Sequence, residues 1–181
     1  MGVLKQFPKV KLFCGMIFAD RAMRDKAGER LAEQWSALEQ ESAAMPFDYT
    51  DYYCEEMGAP LFRGFTAFRD LADPQVLPDF KRMTVGLEKE FSHQGRRRIN
   101  LDPGYVSTAS VVIATAKNHY HRIPLREGVY AHLEYVVRVG KLHPLEWTYP
   151  DFRTAAYMDY FNCLRLCLRE QLRREPPGES D

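Results

Sequence analysis

Residues 9–38 read KVKLFCGMIFADRAMRDKAGERLAEQWSAL, and their hydrophobic pattern changes period at Asp20. Before it, residues 9–19 form a nearly continuous apolar run, the signature of a strand buried on both faces. After it, Met23, Ala27, Leu31, Trp35 and Leu38 recur at helical spacing, with charges between them. Asp20 is placed to accept hydrogen bonds from the first free amides of that helix. The stretch therefore predicts a central strand followed by a helix that packs on its sheet.

The same two periods recur downstream. Residues 42–68 are rich in Tyr and Phe and are broken at Gly58-Ala59-Pro60 and Gly64, which predicts two antiparallel strands joined near Gly58. Asp73-Pro74 marks a helix start, and Leu77, Phe80, Met83, Leu87 and Phe91 give that helix an apolar stripe ending by Gly95. Residues 97–102 alternate apolar and polar, predicting a strand that stops at a Pro103-Gly104 turn. Strand, helix, two strands, helix and strand in this order predict an α+β fold built on a ferredoxin-like βαββαβ unit.

Residues 105–117 are compatible with strand or helix. Residues 120–139 predict a β-hairpin around Arg126-Glu127-Gly128, and Thr148-Tyr149-Pro150-Asp151 predicts the start of a C-terminal helix with Tyr157, Phe161, Leu164, Leu168 and Leu172 as its stripe. No Gly/Ser-rich linker interrupts the chain, so residues 1–172 are expected to form one domain and residues 173–181 a disordered charged tail.

Among the 181 residues, Lys plus Arg and Asp plus Glu are balanced at 25 each. No whole-molecule field draws the chain to nucleic acid or to an anionic membrane, so any anion site must be local. No apolar run approaches the roughly 18 residues of a spanning helix. The four cysteines contain no Cys-x-x-Cys pair, and no secretory leader pattern opens the chain. Reduced thiols and a cytoplasmic location are the expectation.

Chemistry-bearing side chains gather in residues 100–126, NLDPGYVSTASVVIATAKNHYHRIPLR. Asp102 is expected at a strand end, available either as a catalytic carboxylate or as an ordinary turn acceptor. Lys117, Asn118, His119, His121 and Arg122 supply donors, a guanidinium fork and two imidazoles suited to phosphate or carboxylate oxygens. Tyr105 joins them as a ligand-binding candidate, and His121 is the natural general acid or base, since its reference pKa lies near neutrality. The hairpin register makes His132 the cross-strand neighbour of Arg122 and Glu134 a diagonal one, so a structural ion pair competes with a ligand site.

The acidic aromatic segment FDYTDYYCEEMG, residues 47–58, is expected as a strand carrying carboxylates on either face. Its acids require basic partners, for which Arg63, Arg98, Lys117 and Arg122 are the candidates. Asp102, Glu55 and Glu56 together would suit a divalent cation as cofactor. Arg96-Arg97-Arg98 reads as a solvated junction, and without a basic stripe interleaved with aromatics nucleic acid is not the expected partner.

The segments KLFCGMIFAD, PFDYTDYYCEEMG, INLDPGYV, ATAKNHYHRI and EWTYPDF, in this order over residues 8–153, resemble a bacterial family known as domain of unknown function 4416. The resemblance implies a small soluble protein whose signatures are Asp-Pro-Gly-Tyr and Lys-Asn-x-x-His-Arg, and some members carry a nucleotide-binding label. The Gly-x-x-x-x-Gly-Lys-Ser/Thr loop is absent here, and Pro124 stands where an aromatic is expected in many members. Two functions are compatible with these residues. One is a cytoplasmic protein, enzymatic or not, that binds a small phosphorylated or otherwise anionic ligand such as a nucleotide in a polar cleft. The other is a non-catalytic interaction module with a structural polar cluster and a tyrosine-rich docking surface.

Overall fold

The computed structural model describes residues 2–174. Its elements are β1 (Val10–Phe18), α1 (Arg21–Gln34), β2 (Leu38–Glu41), β3 (Met45–Pro46), α2 (Cys54–Met57), β4 (Phe62–Ala72), α3 (Leu77–Glu90), β5 (Ile99–Val106), β6 (Ser110–Thr115), β7 (Ile123–Pro124), β8 (Tyr130–Arg138), β9 (Lys141–Pro144) and α4 (Ala155–Arg174). Among the described residues the strands form one antiparallel sheet in the order β2-β4-β1-β5-β6-β8-β7, with β3 on β4 and β9 on β8. The fold is α+β.

All nine residues of β1 are buried, as a strand with both faces covered requires. Its even-numbered residues Leu12, Cys14, Met16 and Phe18 meet Met23, Ala27 and Leu31 of α1 and Phe80 and Leu87 of α3, so these two helices share one face. Asp20 caps α1 by accepting from the Ala22 amide at 2.9 Å, and Asp73 accepts from the Gln75 amide at 2.8 Å ahead of α3. The opposite face carries Phe13, Phe65, Ala67 and Val106, covered by Tyr157, Tyr160, Phe161 and Leu164 of α4. Full burial of such side chains contributes about 1.5–3 kcal/mol each, and α4 closes this second layer of core.

Several expectations are corrected. The first helix ends at Gln34, and Leu38 already belongs to β2. The acidic aromatic segment is not a strand: β3 ends at Pro46, and the chain beyond it is a loop with one helical turn, α2. The pairing ends just past Pro46, where the Phe47 amide donates to the Leu61 carbonyl, and beyond it Asp48, Tyr49, Asp51 and Tyr52 are exposed. Pro103-Gly104 is not a turn, because β5 runs straight through it and both residues are buried. Asp102 consequently lies within a strand. Residues 110–115 form β6, which resolves the ambiguity of that segment in favour of strand.

The hairpin around residues 126–128 is present, with Ile123 opposite Ala131, and it continues into β9 through a second tight turn at Val139-Gly140. The closing helix begins at Ala155, after a short 3-10 turn at Asp151–Arg153. It runs on through Arg174, past the expected boundary at Leu172, and the remainder of the charged tail, 175–181, lies outside the described residues.

Candidate functional site

Pro103 explains where the sheet opens. Antiparallel strands hydrogen-bond alternate residues to each neighbour, so Leu101, Pro103 and Tyr105 present the edge of β5 that faces β6. Proline has no amide to donate, and the β5–β6 ladder pairs only Gly104 with Ile113, Tyr105 with Val112 and Val106 with Val111. Below Pro103 the strands part, and α3 satisfies the exposed edge: the Leu101 amide donates to Glu88 Oε1 at 2.6 Å and the Leu101 carbonyl accepts from Lys81 Nζ at 2.9 Å. Between the parted strands lies a cleft of about 490 Å³.

Arg63 of β4 forms its floor. The guanidinium, 5% exposed, donates from one nitrogen to Asp102 Oδ2 at 2.9 Å and sits 3.4 Å from Asp151 Oδ2 with the other. Phe47, Phe65 and Phe152 surround it with their rings. Burial works against its charge, but Asp102 and Asp151 outweigh that and raise its pKa above the ordinary arginine value. Burial pushes Asp151 up, partly offset by Arg63. Asp102 accepts a further bond from Asn100 Nδ2 at 2.9 Å, and Lys81 Nζ lies 3.9 Å from its other oxygen. Gly15 makes this crossing possible, because a Cβ there would stand 2.9 Å from an Arg63 terminal nitrogen. Arg63 Nε is buried without a hydrogen-bond partner among the described residues.

The rim is aromatic and cationic. Phe47, Tyr49, Thr50, Tyr52 and Tyr53 line the cleft, and their segment is held at one side by Arg97, which donates to Glu56 at 2.7 Å from Nε, pairs with it at 2.6 Å from a terminal nitrogen, and lies over the Tyr53 ring. At the other side Lys117 Nζ rests 4.4 Å from the centre of the Tyr52 ring. No carboxylate among the described residues pairs with Lys117, leaving it as an uncompensated positive charge at the mouth. Tyr49 and Tyr149 complete the aromatic edge. Burial raises the Glu88 pKa, opposed by Lys81 and the Leu101 amide, so the interior of the cleft favours fewer negative charges than its acids would supply in water.

Of the residues expected at a site, Asp102 and Lys117 line this cleft. His121 and Arg122 stand behind its wall. Arg122 Nε donates to His132 Nδ1 at 3.1 Å, the cross-strand contact that the hairpin register predicts, and His132 itself lines the cleft. Asn118 and His119 are exposed beside them. Tyr105 points to the other face of β5 and packs in the core near Leu77 and Val112. Glu55 is exposed, Glu56 is held by Arg97, and Asp102 is occupied by Arg63 and Asn100, so the three acids do not converge. Among the described residues no group of three or more His, Cys, Asp or Glu side chains could hold a metal ion. Of the basic partners named for the acidic segment, Arg98 pairs with Asp20 at 3.5 Å on the surface.

Lys81, Glu88, Asn100, Tyr149 and Asp151 belong to the cleft without having been singled out from sequence. A signal for two of them exists: Leu77, Lys81, Thr84 and Glu88 recur at helical spacing on one face of α3, which places two charges in line with an apolar and a small residue. No such periodic mark attaches to Asp151, whose partner Arg63 lies in a distant part of the chain.

No helix among the described residues is long and apolar enough to cross a membrane. No curated protein and no solved structure matches the chain. A family model described as "Domain of unknown function (DUF4416)" matches residues 8–167, which include every residue lining the cleft, and the chain belongs to that family.

Proposed function

We propose that the chain binds a small anionic ligand with a planar ring, of which a nucleotide is the type, in the cleft between β5 and β6. The observation that carries this reading is the pairing of an uncompensated Lys117 with the tyrosine rim over an already neutralised floor. Arg63 is committed to Asp102 and Asp151, so a ligand's negative charge falls to Lys117 at the mouth, while Tyr52 and Tyr149 offer faces on which a base can stack. The volume suits a molecule of nucleotide size. In this reading Asp102 positions Arg63 and Asn100. The β2-β4-β1-β5 order with α1 and α3 on one face supports a ferredoxin-like unit to which β6 to β9 and α4 are added as one domain. Four free thiols are in keeping with a reducing, cytoplasmic setting.

A thermal-shift screen of ATP, ADP, AMP, GTP, pyrophosphate and inorganic phosphate tests the reading. A binder present at a hundredfold excess over its Kd adds about 2.7 kcal/mol to apparent stability. That gain should shrink in Lys117→Ala and in Tyr52→Ala, both exposed positions whose replacement spares the core. A parent protein stabilised by none of these compounds, or stabilised equally in both variants, removes the proposal.

A further inference from the structure

Three imidazoles beside the cleft are connected in series. His119 Nδ1 lies 2.9 Å from His121 Nδ1, and His121 Nε2 lies 3.1 Å from His132 Nδ1. Arg122 Nε also points at His132 Nδ1, at 3.1 Å, and it can only donate. His132 Nδ1 must therefore be an acceptor, with the ring proton on Nε2, 3.0 Å from Glu134 Oε1. His121 then donates from Nε2 into the same Nδ1 lone pair, a bond shared with Arg122, and accepts at Nδ1 from His119. The whole series is hydrogen-bonded when all three rings are neutral and each holds this tautomer.

Arg122 joins that series to the cleft. Its terminal nitrogens donate to the Lys117 carbonyl at 2.6 Å and to the Tyr149 hydroxyl at 2.7 Å, two residues on different walls of the mouth. The His132 ring stacks on Tyr149 with centroids 4.9 Å apart and planes within 4°, and His121 stacks on Trp147 in the same way. Glu134, fully buried, also accepts from the Tyr149 amide at 3.2 Å.

We propose that His119, His121 and His132 form a proton-operated latch on the cleft mouth, which holds Arg122 against Lys117 and Tyr149 while neutral and frees it on protonation. This rests on the reading of the cleft as a ligand site and assigns the regulation of that site. The only chemistry is proton uptake from water. A proton taken at the free Nε2 of exposed His119 leaves every bond in place. A proton taken at His121 Nδ1 turns an acceptor into a donor facing the N–H of His119. At His132 Nδ1 it faces the N–H groups of both Arg122 and His121, and both bonds are lost.

Titratable and charged groups surround His132. Glu134 faces it from its own strand, and His121 and Arg122 face it from the preceding loop, with His119 beyond them. Tyr149 stacks from the segment before α4, where Asp151 acts on Glu134, and across the cleft Asp102 and Arg63 act on Tyr149. The adjoining β6 brings Ile113, which does not titrate. Burial, then the neighbouring His132, His119 and Arg122, hold His121 below the ordinary histidine range. The latch is thus closed at neutral pH and opens in mild acid.

Imidazole and backbone NMR on the ligand-free, full-length protein between pH 8 and pH 5 tests this. At pH 8 His132 should show an unprotonated Nδ1 and His121 an unprotonated Nδ1 with a protonated Nε2. The Lys117 and Tyr149 signals should shift with the same midpoint as the His121 or His132 ring. In His132→Gln the side-chain oxygen still accepts from Arg122 but cannot titrate, and the pH response of Lys117 and Tyr149 should disappear. His121→Gln, at a more exposed site, serves as the second variant should the buried replacement fail to fold, and should reduce the response. Lys117 and Tyr149 signals that ignore the imidazole titration, or that respond equally in parent and variants, overturn the latch. Because no ligand is present, a failed ligand screen and a failed latch are separate results.

Discussion

The Leu101 amide donates to Glu88 Oε1 at 2.6 Å, taking from a helix the hydrogen bond that a neighbouring strand would ordinarily supply. The cleft exists because of that exchange: once Pro103 ends the β5–β6 ladder, the edge below it needs partners that do not fill the gap. Glu88 and Lys81 reach the backbone from α3 and leave the space between the strands open.

Glu88 carries a cost for this role. Its folded pKa is raised, first by burial, above the value of an unfolded glutamate, so its contribution is favourable below that value and is lost as pH rises through the folded pKa. At neutral pH the ionised form destabilises the fold. Glu88→Gln keeps the acceptor for Leu101 and cannot ionise, while Lys81 keeps the Leu101 carbonyl and Asp102. Urea midpoints of variant and parent should therefore move apart in favour of the variant between pH 4 and pH 8. A variant that loses ground over that interval would show that Lys81 needs the charge of Glu88.

Removing Arg63 should be far more damaging. Arg63→Met leaves Asp102 and Asp151 facing each other without their shared cation, a situation that costs about 3–5 kcal/mol. Equilibrium denaturation gives the value directly. Adding Asp151→Asn to Arg63→Met should recover part of the loss, since the remaining carboxylate, Asp102, still has Asn100 and Lys81. Arg63→Lys should fall between, because a single ammonium cannot span both acids as the fork does.

Val139 is a residue out of place. It adopts φ of +48° in the two-residue turn between β8 and β9, followed by Gly140 at +77°, and its side chain is fully exposed. Two successive left-handed residues are what Asn-Gly accommodates best, and a β-branched residue is strained there. Val139→Asn should raise stability by about 0.5–1 kcal/mol, measured as a higher denaturation midpoint with an unchanged slope. A neutral or negative effect would mean that the valine serves a contact outside this chain.

Legibility in the sequence followed periodicity. The unbroken apolar run of β1 and the periodic stripes of α1, α3 and α4, with the alternation of the hairpin that sets Arg122 beside His132, each carry the pattern of their element and were readable. Residues 47–58 were not, since alternating Tyr and Asp imitate a strand while the pairing ends at Phe47, whose amide makes the last bond to Leu61. Pro103-Gly104 carried the signal of a turn, yet Gly104 is there for the Phe13 ring that crosses it. At the site, Asp102 and Lys117 were identifiable as reactive types, but Arg63–Asp151 and Leu101–Glu88 depend on distant segments meeting, which local pattern does not encode.

The two glycines that flank the floor of the cleft should behave differently when given a methyl group. At Gly104 a Cβ would lie 2.5 Å from the Phe13 ring and closer still to the Val112 carbonyl of β6, and neither a core phenylalanine nor a paired strand can withdraw cheaply. Gly104→Ala should therefore cost about 1–3 kcal/mol or more through overpacking, and should disturb the last rungs that join β5 to β6. At Gly15 the nearest atom is a terminal nitrogen of Arg63 at 2.9 Å, the end of a flexible side chain, with the Phe65 ring next at 3.1 Å. Gly15→Ala should accordingly be milder in stability but should push the guanidinium off Asp102, so its main effect is expected on whatever the cleft binds. Denaturation midpoints paired with the thermal-shift screen separate the two outcomes. Equal destabilisation by both substitutions would mean that Arg63 is as rigidly fixed as the backbone around it.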